Sequence, residues 1–314
     1  MLVHGTAGGC RLPLRANKKK RSNPMIRVSS APGVEQLIER AASRLACGDS
    51  SSPRLDAEVL MGHVLQRGRA WLYAHGESPV PQVARREFNS LVRLRSRGCP
   101  IAYLTGSKEF WSLGLTVSPA TLVPRPETEH VVEEALRVIG EQSGLVSVWD
   151  VGTGCGSIAV ALATTVSRVR VLATDRSPAA LAVAGQNVRR QGVTDRVCLL
   201  AGDLDGPLGS TRFDLIVSNP PYIPDVEWAS LAREVREFEP AEALCGGADG
   251  LSLIRRLISV APSRLRQGGS LIFEIGDSTG GLVRELIAQS RELEFVRVVP
   301  DYAGHDRVVV ARLP

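Results

Sequence analysis

The sequence predicts an α/β protein: an open, mostly parallel seven-stranded sheet with helices on both faces, preceded by a small N-terminal helical domain and a β-hairpin connector. Three observations carry this. Seven short apolar runs recur between residues 146 and 312, and helical stretches separate the first five. Residues 34–98 show only the i, i+3, i+4 spacing of amphipathic helices. The glycine- and acid-bearing motifs stand directly after apolar runs, where open parallel sheets bind their ligands.

In chain order, residues 1–33 read as a disordered basic leader, with Gly, Ser, Pro and a charge run but no sustained periodicity. Residues 34–98 read as the helical domain. Leu37, Ile38, Ala41, Ala42 and Leu45 mark its first helix. Ser51-Ser52-Pro53 opens the second, with Leu55, Val59, Leu60, Val64 and Leu65 on its apolar side. The third spans about 81–97, with Phe88, Leu91, Val92 and Leu94 inside and Arg85, Arg86, Arg93, Arg95 and Arg97 outside. Those arginines read either as a solvated face or as a face for a partner. Residues 99–125 form the connector, where 110–117 alternate about a central Gly114 as a hairpin does. Residues 126–314 form the sheet domain. A helix runs to about Ile139, and strands follow at 146–151, 169–174, 197–201, 213–218, 270–275, 295–299 and 307–312.

Length and composition exclude several classes. The 314 residues suit about two domains, and 44% hydrophobic with 23% charged residues is ordinary for a globular chain. No apolar run reaches a membrane span. Six scattered cysteines (Cys10, Cys47, Cys99, Cys155, Cys198, Cys245) and five separated histidines lack zinc or disulfide spacing, so no metal is expected and a reducing cytoplasm is. The net charge of +5 hints at nucleic acid. Residues 1–24 hold six bases and no acid, however, and the rest counts 32 bases to 33 acids. The body is therefore neutral, and no direct nucleic-acid contact is expected. Three of the four lysines stand together at Lys18-Lys19-Lys20, ahead of Met25. Such a run implies purine-rich codons, so residues 1–24 read as an untranslated ribosome-binding stretch with Met25 as the start. The alternative is a mitochondrial transit peptide, which would place the protein in the matrix.

The first strand of the sheet ends in Asp150-Val151-Gly152-Thr153-Gly154-Cys155-Gly156 and runs straight into a helix. Glycines there permit a tight turn and close approach of a ligand. The spacing departs from the dinucleotide pattern GxGxxG. An acid two residues before the first glycine suits a cationic ligand better than a pyrophosphate. Asp175 closes the second strand, 23 residues after Gly152, where a carboxylate accepts both ribose hydroxyls. Asp203 and Leu204 close the third, where an acid accepts from an adenine amino group. Together these residues describe a nucleoside site without a phosphate cradle, which points to S-adenosylmethionine. Cys155 reads as a small gap-filler in that loop.

The fourth strand ends in Asn219-Pro220-Pro221-Tyr222. Two prolines stiffen the turn, and the residue before a proline is held extended. The Asn219 side-chain oxygen and the Pro220 carbonyl become two acceptors facing one way, a fit for a planar NH2 group. Tyr222 offers an aromatic face for a flat amide or base. An amide nitrogen is a weak nucleophile, so accepting both its hydrogens aims it and stabilises the charge that develops on it. An exocyclic adenine amine is held alike, and these residues alone leave both substrates open. Glu274, at the end of the fifth strand, reads as structural.

These pieces resemble the release-factor glutamine methyltransferases (HemK/PrmC family), class I enzymes with a Rossmann-like sheet, over about residues 34–314. The resemblance rests on Pro100-Ile101-Ala102-Tyr103-Leu104-Thr105-Gly106, Glu109-Phe110-Trp111-Ser112-Leu113, and the run from Val117 to Glu129 containing Pro124-Arg125-Pro126-Glu127-Thr128-Glu129. It continues through Gly152–Gly156, Asp175, Asn219–Tyr222, Glu239-Pro240, 246–250 and Glu274-Ile275-Gly276. It implies methylation of the N5 nitrogen of the glutamine in the Gly-Gly-Gln loop of peptide chain release factors. S-adenosylmethionine would lie against Gly152–Gly156, Asp175 and Leu204, which stands where some members carry tryptophan. The glutamine would lie against Asn219–Tyr222, and the helical domain would engage the release factor. A monomer with no membrane association is expected. The competing expectations are N5-methylation of a ribosomal-protein glutamine, N6-adenine methylation of nucleic acid, and a non-catalytic binder of translation factors.

Overall fold

The computed structural model describes residues 31–204, 206 and 208–314. The rest of the expected leader, including the proposed Met25 start, lies outside the described residues. Its last residues are not irregular. The Pro32 carbonyl accepts from the Val80 N–H at 3.2 Å, and Gly33 forms a bridge with Pro79.

Five helices come first: α1 (Val34–Leu45), α2 (Pro53–Leu65), α3 (Arg69–Ala74), α4 (Gln82–Arg95) and α5 (Ile101–Thr105). They enclose one apolar cluster built from Ile38, Leu45, Leu60, Met61, Leu72 and Phe88 among others. The short α3 and α5 carry too few turns to show a periodicity, and the sequence reading passed over both.

Two faces differ from expectation. In α2, Leu55 points outward while Asp56 and Glu58 are buried. In α4, Leu94 is 43% exposed and Arg95 is buried. The charges explain the reversal, because a buried ion stays folded only when paired. Arg95 donates to Asp56 at 2.7 Å. Glu58 accepts from Arg54, Arg69 and the Tyr73 hydroxyl, each at 2.9 Å. Burial works to raise the Glu58 carboxyl, but these donors outweigh it and hold it below its ordinary value.

The connector hairpin pairs β1 (Ser107–Phe110) with β2 (Leu113–Thr116). Its turn is Trp111-Ser112, not the region of Gly114, which pairs with Glu109 inside the ladder. Both turn residues have positive φ, 53° and 58°, as a two-residue hairpin turn requires. Two carboxylates hold it there: Glu129 accepts from the Trp111 N–H and Glu109 from the Ser112 N–H, each at 2.8 Å.

The sheet domain continues with α6 (Glu129–Gly140), β3 (Val146–Val151), α7 (Ser157–Thr165), β4 (Val169–Asp175), α8 (Pro178–Arg190), β5 (Val197–Ala201) and β6 (Phe213–Ser218). It closes with α9 (Arg233–Phe238), α10 (Ser252–Arg264), β7 (Leu265–Glu274), α11 (Gly280–Ser290), β8 (Glu294–Pro300) and β9 (Asp306–Arg312). The strand order is β5-β4-β3-β6-β7-β9-β8, parallel except that β9 runs antiparallel to both neighbours. Alternate residues of each strand feed two cores. Val146 and Val148 pack with α6, α7 and α8, and Trp149 and Val151 with α10 and α11. The chain leaves β3 in one direction and returns to its other side at β6. The carboxyl ends of these two strands are the topological switch point, where such sheets open a crevice.

Candidate active site

A cavity of about 790 Å³ lies at that switch point, walled by the turns after β3, β4, β5 and β6. Gly152 and Gly154 line its floor, while Gly156 stands off the cavity wall; their φ angles are 69°, 57° and 85°, values that residues with side chains rarely adopt. A Cβ on Gly152 or Gly154 would meet no protein atom within 4 Å, so the glycines also keep backbone open to a ligand. At Gly156 a Cβ would press on Ala184, 3.3 Å away, so that glycine lets α7 approach α8.

The acids of this half take three different positions. Asp175 lines the cavity. Its Oδ2 accepts from the Gly154 N–H at 2.9 Å and its Oδ1 from the Ser177 N–H at 2.8 Å. Asp203 stands at the exposed rim, 3.1 Å from Arg256. Leu204 is buried, with φ of 50°, and lines the wall. Asp150, expected at the ligand, lies behind the loop and not on the cavity wall. Its Oδ2 accepts from the Thr153 hydroxyl at 2.6 Å and the Ala159 N–H at 3.2 Å. Its Oδ1 is buried without a hydrogen bond. Burial pushes this carboxyl up to about 7. Cys155 lines the cavity with its thiol pushed up to about 12 by burial, which suits packing and not nucleophilic attack.

The opposite wall holds Asn219, Pro220 and Pro221. Asn219 Nδ2 donates to Thr128 Oγ1 at 2.9 Å. Thr128 Oγ1 donates to Glu274 Oε2 at 2.6 Å, and the Tyr222 hydroxyl donates to Glu274 Oε1 at 3.0 Å. With one amide hydrogen held by Thr128, Asn219 keeps Oδ1 as an acceptor. Among the described residues, neither that oxygen nor the Pro220 carbonyl takes a hydrogen bond within the protein. Tyr222 differs from expectation, since it is not on the cavity wall. Its ring packs against the α10–α11 core, because the hydroxyl reaches inward to the buried Glu274. Burial raises both the Glu274 carboxyl and the Tyr222 hydroxyl above their ordinary values.

Glu239 braces the wall from behind. It is buried and accepts from the Val123 N–H at 3.1 Å and from Arg125 at 2.6 Å. This fixes the 123–128 segment, and with it Thr128, beside Asn219.

Comparison with known proteins settles the family. The PrmC N-terminal domain matches residues 36–106 and the methyltransferase small domain matches residues 136–235. A release factor glutamine methyltransferase of Moorella thermoacetica is 43% identical over 278 residues, 88% of this chain and 98% of that protein. One from Rhodopirellula baltica is 41% identical over 280 residues, 88% of this chain and 95% of that protein. The chain belongs to the release factor glutamine methyltransferases. Its sheet is that of class I methyltransferases. The catalytic domain of hMettl16, solved in complex with the MAT2A 3'UTR hairpin 6, shares the fold with a TM-score of 0.51 at 16% identity, covering 74% of this chain and 81% of that one.

In this methyltransferase, the sequence reading brought the glycine loop, Asp175, Leu204, Asn219, Pro220 and Pro221 to one cavity, and the fold places them there. It missed the positions of Thr128 and Glu239, which lie 91 and 20 residues from Asn219 in the chain. The proline-stiffened Pro124–Pro126 segment was the available signal for the first, and a buried acid followed by proline for the second.

Proposed function

We propose that the protein transfers the methyl group of S-adenosylmethionine to the side-chain N5 nitrogen of the glutamine in the Gly-Gly-Gln motif of peptide chain release factors. The observation that carries this is the acceptor pair, Asn219 Oδ1 and the Pro220 carbonyl, at one end of a cavity whose other end is the glycine loop with Asp175. Two acceptors match an NH2 group and mismatch a carboxylate.

The chain fits the cofactor. The space above Gly152 and Gly154 is open, and Asp175, Asp203 and Leu204 line the cavity, where Asp175 would accept from ribose hydroxyls and the other two would border the base. When bound, S-adenosylmethionine would supply a methyl group on a sulfonium, whose carbon–sulfur bond breaks as the nitrogen–carbon bond forms, releasing a neutral thioether without acid or base assistance. Asn219 and Pro220 then do the protein's share. They accept the two N–H hydrogens, orient the nitrogen lone pair, and stabilise the positive charge that grows on nitrogen. The methylated nitrogen loses its extra proton to solvent after attack, and no side chain has to remove one first. Asp150 sits behind the loop, fixing its shape through Thr153 and Ala159. The helical unit serves as the release-factor recognition domain, and the enzyme works as a cytoplasmic monomer without nucleic acid or membrane.

Incubation of purified enzyme, S-adenosylmethionine and release factor, followed by peptide mass spectrometry, tests the proposal. A methyl-mass gain on the Gly-Gly-Gln glutamine is expected. Gain on a ribosomal-protein glutamine or on nucleic acid, with none on release factor, overturns it.

A further inference from the structure

We infer that Thr128 and Glu274 are positioning residues that set the polarity of the Asn219 amide, and so make the site read glutamine and refuse glutamate. The inference deepens the proposed function and rests on it. Glu274 is buried at the end of β7. It accepts two hydroxyl hydrogens, one per oxygen, from Thr128 at 2.6 Å and Tyr222 at 3.0 Å. In its ionised form, which the two hydroxyl donors and the Arg307 charge favour against burial, Glu274 accepts only. The single Thr128 hydrogen is therefore spent on Glu274, and what Thr128 Oγ1 offers Asn219 is a lone pair. Only the NH2 end of Asn219 can meet a lone pair, at the observed 2.9 Å. Oδ1 is left facing the substrate.

Reversing one link reverses the chain. If position 274 donated to Thr128, the threonine hydrogen would be free to point at Asn219. The amide would turn over and present NH2 to the cavity. An NH2 facing the cavity repels the amide NH2 of glutamine and donates to the carboxylate of glutamate. The backbone carbonyl of Pro220 cannot turn, so Asn219 is the one member of the acceptor pair whose polarity must be imposed. The fold supplies the means from three separate places: Thr128 after a proline-rich turn, Glu274 from β7, and Tyr222 from the same turn as Asn219.

The experiment measures kcat on release factor, cofactor Kd, and binding of release factor carrying Gln or Glu in the Gly-Gly-Gln position. Thr128→Val removes the link and keeps the Glu274 charge. Thr128→Ser keeps the hydroxyl. Glu274→Gln is nearly isosteric and can donate, so it stands in should Thr128→Val fold poorly. Thr128→Val and Glu274→Gln are expected to lower kcat about 10- to 100-fold, with cofactor Kd changed less than about twofold and the preference for Gln over Glu reduced. Thr128→Ser is expected to restore kcat and the preference. A Thr128→Val enzyme with undiminished kcat and preference, or a loss that Thr128→Ser does not restore, overturns the inference. So does a loss that falls equally on Gln and Glu substrates. Absence of methylation by the unaltered enzyme overturns the proposed function and this inference together, whereas methylation by it with any of the preceding results overturns the inference alone.

Discussion

Arg95 and Glu234 form an ion pair, Nη1 to Oε2 at 2.6 Å, that joins the helical unit to the segment following the Asn-Pro-Pro-Tyr turn. The same guanidinium holds Asp56 at 2.7 Å through Nε and the Cys99 carbonyl at 3.2 Å through Nη1. One buried cation therefore satisfies two elements of the helical unit and α9 of the sheet domain. Arg95→Ala leaves Asp56 a buried carboxylate without a counter-charge, with only the Ser50 hydroxyl at 2.7 Å still donating to it, which costs about 3 kcal/mol. Chemical denaturation is expected to show that loss. It is also expected to show faster amide exchange in 225–238, because Glu234 loses its anchor. Unchanged stability would mean that Asp56 finds water instead.

Asn219→Ala removes one of the two acceptors aimed at the substrate nitrogen. Loss of a preorganised electrostatic contact to developing charge lowers kcat by about a hundred- to thousand-fold. Cofactor affinity is expected to persist, since the glycine loop and Asp175 stand on the other wall. Single-turnover methylation with a parallel cofactor titration checks both parts. Surviving turnover would discard the acceptor-pair mechanism.

Asp150 makes the stability of the ligand-free protein fall with rising pH. Burial holds its carboxyl at about 7 against an ordinary 3.8. The folded state thus keeps a proton that the unfolded chain releases. The stabilisation is complete below about 4 and is lost as pH rises through about 7. Asp150→Asn abolishes this dependence. Between pH 5 and pH 8 the variant is expected to gain on the unaltered protein by on the order of 2 kcal/mol, measured by urea unfolding. A constant difference across that range would refute the assignment.

Gly250 guards the geometry of the catalytic turn from outside. Its φ is +76°, and a Cβ there would collide with the Tyr222 backbone carbonyl. Gly250→Ala is expected to cost about 1–3 kcal/mol from the backbone conformation and the collision. It should also lower kcat more than it weakens cofactor binding, since the displaced turn carries Asn219. Melting temperature, cofactor Kd and kcat together test this. A drop in melting temperature with unchanged kcat would show that the turn absorbs the clash.

The sequence by itself determined the order of layers and most of the site. Each strand of the sheet is a short apolar run of its own, and each cavity-facing turn follows such a run directly, so local pattern sufficed for Gly152–Cys155, Asp175, Leu204 and Asn219–Pro221. Burial of charge was beyond it. Arg95, Asp56 and Glu58 look like solvent residues by composition, and only the presence of partners contributed by other elements makes burial tolerable. The hairpin turn at Trp111-Ser112 was hidden for a related reason, because positive φ at side-chain-bearing residues is held by Glu109 and Glu129. Tyr222 and Asp150 carry chemistry that suits the cavity, yet packing turns one into the core and sets the other behind the loop. The relay from Glu274 through Thr128 to Asn219 was decided by tertiary structure alone. Its members lie 146 and 91 residues apart, and hydrogen-bond polarity passes only between groups that the fold brings within about 3 Å.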